Sequence, residues 1–335
     1  MKALILEGVH LPLQLKDVPE PVPAAGEALI QVKAAALNHR DVWIGKGQYA
    51  GLKFPVILGS DGAGLVTATG DGVNQGLVGR EVLINPGLFW GDNPKTHNRQ
   101  TFRILGMPED GTFASYVKVP TAYVHPKPAH LSFEQAAALP LAGVTAYRAL
   151  FTRGQLQAGE KVLITGAGGG VAQFALQFAV AAGAQVYVTS GSEAKLSRAK
   201  SIGALGGVNY HQPDWVKQLQ TQAGDFDLII DSAAGEGFAK LIDLAALGGR
   251  IVFYGGTKGI INGIVPGKVF WKQLTIMGTT MGSERDFEAM LKFVEANKIV
   301  PVVDQVFPLA EGEAALRYME TASQFGKIVL RVELS

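Results

Sequence analysis

The sequence predicts a two-domain α/β chain in which a mostly-β domain is joined to a doubly wound parallel sheet. Three observations carry this. Residues 1 to about 125 consist of short β-like runs broken by glycine and proline, with no long helix. From about residue 130, apolar strand-like runs alternate with helical stretches, the pattern of a parallel sheet covered by helices on both faces. Within that region an apolar strand at 162–165 runs into the small residues Gly166-Ala167-Gly168-Gly169-Gly170. An apolar helix follows at 171–182, ended by Gly183. A length of 335 residues is enough for two sizeable cores.

Residues 1–15 read as a first strand rather than a signal peptide, because they lack a long apolar core and a small-residue cleavage site. Further strand-like runs at 28–34, 64–69, 81–84 and 113–119 suggest a barrel-like or partly open sheet. The polar, aperiodic stretch 87–111 reads as a surface lobe or loop. Residues 131–150 read as two short helices, with Ser132 capping the first. Strand 185–189 then leads to helix 193–202, with Ser192 as N-cap and Gly203 just past its end. Residues 225–231 (DFDLIID) form a third strand, followed by helix 237–247 stopped at Gly248-Gly249. Residues 250–254 (RIVFY) and 274–278 (LTIMG) form the fourth and fifth strands. The tail reads as helix 284–297, strand 302–308, helix 311–321 and strand 327–332. It either extends the parallel sheet or returns to the first domain. The expected domains are 1–125, 126–282 and a C-terminal segment 283–335.

Composition excludes several classes of function. Hydrophobic residues make up 47% and charged residues 18%, an ordinary globular balance that argues against disorder. A net charge of +1 with no basic stripe makes nucleic acid and anionic membrane unexpected partners. No apolar run approaches the roughly 18 residues of a membrane helix, and a cytoplasmic location is expected. The chain has no cysteine, which excludes disulfides and thiolate-held zinc.

The glycine turn is the opening of a dinucleotide site. Gly168, Gly169, Gly170 and Val171 bring backbone close to a pyrophosphate at a helix N-terminus, where free N–H groups and partial positive charge favour an anion. Ala172 stands where the usual fingerprint has its last glycine. The next strand ends Thr189-Ser190-Gly191-Ser192, without the carboxylate that grips the ribose in NAD sites, and Lys195 and Arg198 follow on the next helix. Loss of a negative charge and gain of donors there favour NADP(H). The alternative is that Lys195 and Arg198 form a solvated helix face. Tyr254, Gly255 and Gly256 close the fourth strand, either approaching the nicotinamide half of the cofactor or forming an ordinary turn.

Together these features, with the segments NHRDVWIGKGQY (38–49), FPVILGSDGAGLV (54–66), GTFASYV (111–117), LPLAGVTAYRAL (139–150) and GKIVLRV (326–332), resemble the medium-chain dehydrogenase/reductase superfamily over essentially the whole chain. The nearest likeness is to its zinc-free, quinone-oxidoreductase-like branch. The resemblance implies a GroES-like catalytic domain completed by the tail, a Rossmann cofactor domain, an active-site cleft between them, and a homodimer formed through the edge strand at 274–278. It also implies that zinc is absent. The Cys, His and Cys ligands of the zinc alcohol dehydrogenases match Asn38, Ser60 and about Leu141, and the lobe 87–106, which binds structural zinc in relatives, holds only His97.

By the same resemblance Asn38 and Tyr49 are the catalytic candidates, Trp43 is a pocket wall, Thr145 lies near the nicotinamide, and Lys195 and Tyr210 meet the 2′-phosphate. Asn38 would donate to a carbonyl oxygen or position a water, and Tyr49 would donate a hydrogen bond or proton. Other readings stand beside these: Asn38 as a helix cap, Tyr49 closing a loop, and Tyr210 packing at a strand end. Arg40 matches a proton-relay hydroxyl but stays protonated, so it is expected on a cofactor phosphate or a carboxylate such as Asp41. Asp41 and Asp61 read as structural acceptors. Without a metal, hydride transfer needs an activated acceptor, so the expected activity is NADPH-dependent reduction of quinones or α,β-unsaturated carbonyls. The alternatives are an alcohol dehydrogenase or aldehyde reductase, and a non-catalytic NADPH-binding protein.

Overall fold

The computed structural model describes residues 1–333. The chain folds into two compact units, one made of Met1–Ala142 with the described tail from Gly282, the other of Gly143–Met281. The first unit extends past residue 125 because Val124–Pro126 pairs antiparallel with Glu81–Ile84, and the helix Phe133–Ala138 lies against the sheet with its alanines buried. That helix starts in a capping box: Ser132 accepts from the Gln135 N–H at 3.2 Å, and the Gln135 side chain accepts the Ser132 N–H at 2.9 Å.

The first unit is organised on one long strand, Glu27–Ala36. It pairs antiparallel with Asp61–Thr69 along its length, with Tyr116–Pro120 at its start and with Lys327–Arg331 at its end. Val303–Pro308 runs parallel to Lys327–Arg331. The tail therefore returns to the first unit and completes its sheet. A second sheet, Gln14–Asp17, Lys2–Leu6 and Val56–Ile57, covers a core that includes Leu4, Leu6, Ile30, Val32, Phe113, Ile328 and Leu330. These side chains are fully or almost fully buried, each contributing about 1.5–3 kcal/mol. The stretch 87–111 carries a small ladder, Gly87–Leu88 with Arg103–Ile104. Trp90, 1% exposed, packs edge-on against His97 and Phe102.

The second unit is a six-stranded, all-parallel sheet. From edge to edge its strands are Gly206–Asn209, Gln185–Ser190, Lys161–Ile164, Phe226–Asp231, Ala245–Phe253 and Thr275–Gly278. Three elements here were not expected from the sequence, one of them the short helix Pro266–Trp271. Gly206–Asn209 (GGVN) is a strand because it pairs with Gln185–Ser190. Its glycines are needed, since a side chain on Gly206 would lie 2.9 Å from the Tyr187 ring and one on Gly207 2.6 Å from the Val188 carbonyl. The helix Trp215–Ala223 follows, burying Trp215, Leu219 and Ala223. One expectation is corrected. The helix expected over 237–247 is Phe238–Leu244, because Ala245 already pairs with Phe226 and residues 246–249 bulge before Leu228 meets Arg250. No helix among the described residues is long and apolar enough to cross a membrane.

Candidate active site

Gly59, with φ at +98° and packed on Phe113 and Thr112, turns the chain so that Ser60 and Asp61 enter the first unit's interior. The helix His39–Gly45 leaves the end of the Glu27–Ala36 strand beside them, with Asn38 as its N-cap residue. Lys327 opens the last strand. Asn38, Arg40, Asp41, Ser60, Asp61 and Lys327 are all buried.

Two linked networks result. In the first, the Lys327 ammonium, 4% exposed, donates to the Asn38 side-chain oxygen at 2.6 Å, the Leu37 carbonyl at 2.7 Å and Asp61 Oδ2 at 3.0 Å. The Asn38 amide donates to the same Asp61 oxygen at 2.9 Å, and the Leu141 N–H donates to Asp61 Oδ1 at 2.8 Å. In the second, the Arg40 guanidinium donates to Ser60 Oγ at 2.7 Å, the Leu105 carbonyl at 2.9 Å, the Met107 carbonyl at 3.4 Å and the Tyr49 hydroxyl at 3.1 Å. The guanidinium also lies 4.8 Å from the centre of the Tyr49 ring. The Ser60 hydroxyl donates in turn to the Leu105 carbonyl at 2.8 Å. Tyr49 thus has its oxygen lone pair engaged.

These contacts bear on three sequence readings. Asn38 is the N-cap residue and shares a capping box with Asp41, whose Oδ2 accepts the Asn38 N–H at 2.8 Å, while the Asn38 amide also joins the Lys327–Asp61 network. Arg40 does not reach out to a phosphate or pair with Asp41 by hydrogen bonds, because its donors are taken up by Tyr49, Ser60 and two carbonyls. Asp61 is an acceptor with both oxygens engaged. Burial raises Asp41 from an ordinary 3.8 to about 6, opposed by the charges of Arg40 and Lys327 and by the Asn38 N–H. Trp43 is half-buried on the same helix, edge-on to His39 at 5.1 Å. Lys327 was not singled out by sequence reasoning. The only signal was its place in GKIVLRV, and a lysine opening a strand does not by itself mark a buried cation.

The donor set does not suit zinc. By the correspondence the resemblance implies, an amide, a hydroxyl and a leucine stand at the zinc-ligand positions, and two buried cations, Lys327 and Arg40, share the cluster and would repel a dication. Among the described residues no three His, Cys, Asp or Glu side chains gather as metal ligands.

In the second unit the Lys161–Ile164 strand leads through Gly166, at φ +70°, to Gly169, the N-cap of the helix Gly170–Ala181. A side chain on Gly169 would meet only the Gly166 carbonyl, at 3.5 Å, so space lies open over the helix start, where first-turn N–H groups collect. Gly168 and Val171 flank this point. Beside it Asp231, 2% exposed, accepts from Thr165 Oγ1 at 2.6 Å and from the Ala234 N–H at 2.7 Å, which fixes the turn after the Phe226–Asp231 strand. Tyr254 follows the next strand, its N–H on the Asp231 carbonyl at 3.1 Å. Burial holds its phenol protonated well above the usual range, although Ser232 opposes the shift. A side chain on Gly255 would strike the Ser232 carbonyl at 2.6 Å.

At the end of Gln185–Ser190, Ser190 is 3% exposed and accepts the Ser192 N–H at 3.2 Å. Tyr210 packs edge-on to His211 at 4.7 Å, and both close on Gly191, where a Cβ would lie 2.8 Å from each. Ser190, Tyr210 and His211 thus meet at one strand end, and Lys195 lies in the first turn of the helix Glu193–Ser201. His211 was not expected here. Thr145, 5% exposed, lies on the helix Pro140–Tyr147. An open helix start beside a parallel strand, and a strand end with no carboxylate, fit a dinucleotide bound through its phosphates.

A GroES-like β unit with a buried polar cluster, together with a Rossmann-type parallel sheet opening on a glycine turn, defines an oxidoreductase of the pyridine-nucleotide class. Residues 24–129 match the family model "Alcohol dehydrogenase GroES-like domain" and residues 170–296 match "Zinc-binding dehydrogenase". A zinc-type alcohol dehydrogenase-like protein of Schizosaccharomyces pombe is 38% identical over 96% of each chain. An acryloyl-coenzyme A reductase of Metallosphaera sedula is 30% identical over 98% of this chain and 99% of its own. A crystal structure of an NAD-dependent alcohol dehydrogenase superposes with a TM-score of 0.94 at 40% identity, covering 99% of this chain and all of that one. The structure of a 2-octenoyl-CoA carboxylase reductase in complex with NADP and 2-octenoyl-CoA superposes at 0.88 with 27% identity, over 99% of this chain and 87% of that one. The chain belongs to the medium-chain dehydrogenase/reductase family.

Proposed function

We propose that the chain is an NADPH-dependent reductase of conjugated carbonyls (enals, enones, α,β-unsaturated thioesters or quinones) that works without zinc, as in the quinone-oxidoreductase-like branch. The observation that carries this is the Asn38 amide, held between Lys327 and Asp61 where a zinc ligand stands in the metal enzymes. A simple ketone or aldehyde needs strong polarisation of its carbonyl, which zinc supplies. A conjugated acceptor spreads incoming charge onto its oxygen and needs only hydrogen-bond donors there. The reductases of acryloyl- and 2-octenoyl-CoA among the relatives act on that class of substrate.

NADPH, when bound, supplies the hydride that adds to the β-carbon. The residues then have distinct tasks. Gly168, Gly169, Gly170 and Val171 hold the pyrophosphate, and Ser190, Lys195 and Tyr210 hold the 2′-phosphate. Thr145, Tyr254, Gly255 and Gly256 flank the nicotinamide. Asn38 donates to the enolate oxygen as its charge develops, and Trp43 walls the pocket. Tyr49 carries a hydroxyl proton oriented by Arg40 as a second donor, and the α-carbon takes its proton from Tyr49 or from water. The chain is proposed to be cytoplasmic and homodimeric. The edge strand Thr275–Gly278 has one pairing partner, and Ile260, Phe270 and Trp271 stand 81%, 63% and 78% exposed on the same unit.

The test is NADPH consumption across enals, enones, enoyl thioesters and quinones. Turnover with at least one of them, surviving dialysis against a strong chelator, is the expected result. Oxidation of alcohols with NAD⁺ or NADP⁺ and no reduction of any conjugated acceptor would instead establish the alcohol dehydrogenase reading, which the names of several relatives favour.

A further inference from the structure

We propose that Lys327 is the positioning residue for Asn38: it fixes which end of the amide faces a ligand and strengthens the one N–H left to donate. The inference rests on the conjugated-carbonyl reading and assigns how the oxygen of that substrate is recognised.

The argument begins with hydrogen counting. An ammonium has three donors and no acceptor. All three of Lys327's are directed inward, to the Leu37 carbonyl at 2.7 Å, the Asn38 side chain at 2.6 Å and Asp61 at 3.0 Å. The Asn38 atom facing Lys327 must therefore be its oxygen. A flipped amide would set two donors against each other in a site where Lys327 is 4% and Asn38 6% exposed. The amide nitrogen then faces Asp61, and one of its hydrogens is donated there at 2.9 Å. Asp61 is held in turn by the Leu141 N–H on its other oxygen at 2.8 Å, so it cannot rotate away. The second amide hydrogen is accepted by no described residue. It is a single donor of fixed direction on a side chain with no rotational freedom left.

Charge acts in the same sense. A cation on the amide oxygen draws electron density from the nitrogen and makes the remaining N–H a stronger donor, while Asp61 neutralises the added charge so that the cluster stays buried. The device suits an oxygen that gains negative charge during reaction more than one that is neutral throughout, so its effect falls on the transition state rather than on substrate binding.

The experiment uses Lys327→Met, Asn38→Ala and the double variant Lys327→Met/Asn38→Ala in the full chain. Lys327→Met leaves Asp61 buried without its cation. Lys327→Met/Asp61→Asn is therefore made in parallel as a neutral replacement that keeps an oxygen for the Leu141 N–H. Expected is a loss in kcat of about 100-fold in Lys327→Met/Asp61→Asn, with NADPH affinity and substrate KM nearly unchanged. The Lys327→Met/Asn38→Ala variant should lose no more than Asn38→Ala alone, since Lys327 acts through that amide. Losses that multiply, or a neutral variant that folds with wild-type kcat, overturn the proposal. Absence of wild-type turnover on every conjugated carbonyl overturns the reading beneath it instead. The lock is then judged by the ¹⁵N-resolved side-chain amide of Asn38. Two fixed and widely separated proton shifts in the wild type that draw together in Lys327→Met/Asp61→Asn support it, and a spectrum that does not change overturns it.

Discussion

Ser190 illustrates how little chemistry separates two cofactors. It is buried at a strand end and accepts the Ser192 N–H, so the position that carries a ribose-binding carboxylate in NAD sites here carries no charge. Ser190→Asp would place a carboxylate against the 2′-phosphate. Titration by cofactor fluorescence should then show NADPH binding weakened about tenfold or more, while NADH binding holds or improves. Tighter NADH than NADPH binding in the unmodified chain would refute the NADP assignment outright. His211 extends the same corner. His211→Ala opens the space beside Gly191 and should weaken NADPH by a few-fold without touching NADH. The NHRD and GSD motifs drew attention to Asn38 and Asp61 from the sequence, and folding brings their side chains to 2.9 Å. Lys327 escaped it because its partners lie 266 to 290 positions away in the chain.

Among the elements, the strand Val124–Pro126 and the helix Glu284–Ala296 hold a test of pH dependence. His125 lies 5.0 Å from the Phe287 ring, and its Nε2 is buried without a partner. Burial pushes its imidazole below the ordinary 6.5, against a weaker upward pull from Glu288. Above pH 6.5 both folded and unfolded chains hold it neutral. As pH falls below 6.5 the unfolded chain takes up a proton that the folded chain refuses, so stability declines. His125→Phe removes that proton site, and denaturant titrations at pH 7.5 and 5.5 should differ less for the variant than for the wild type. The helix's own start is a capping box in which Ser283 accepts the Asp286 N–H at 3.3 Å, consistent with the helix expected over 284–297. Ser283→Ala should cost about 1 kcal/mol in the same titration. Among the elements not expected, Gly206–Asn209 has the composition of a turn. Pairing with Gln185–Ser190 makes it a strand, and its two glycines fit where a Cβ would clash.

At the scale of the whole molecule, the uncapped edge at Thr275–Gly278 and the exposed Phe270 and Trp271 bear on assembly. Light scattering should give twice the chain's mass, and Trp271→Asp should shift it to the monomer while both units stay folded, as read by circular dichroism. A monomeric wild type would remove the dimer proposal without affecting the chemistry. The lobe at 87–111 is packed on its own aromatic side chains. Trp90, His97 and Phe102 pack there, and Trp90→Ala should destabilise by about 3–5 kcal/mol, whereas chelators should not.

Local chemistry was enough to establish the alternation of strand and helix, the glycine turn with its open helix start, the absence of thiolate ligands and the missing carboxylate at Ser190. Each depends on residues a few positions apart, whose spacing sets backbone geometry directly. Where the tail goes, which partners Arg40 takes and why Lys327 is buried were settled by folding. A strand's neighbour and a buried charge's counterion come from distant parts of the chain. They are selected by the need to satisfy every buried donor and acceptor at once, a condition that exists only when the whole sheet has closed.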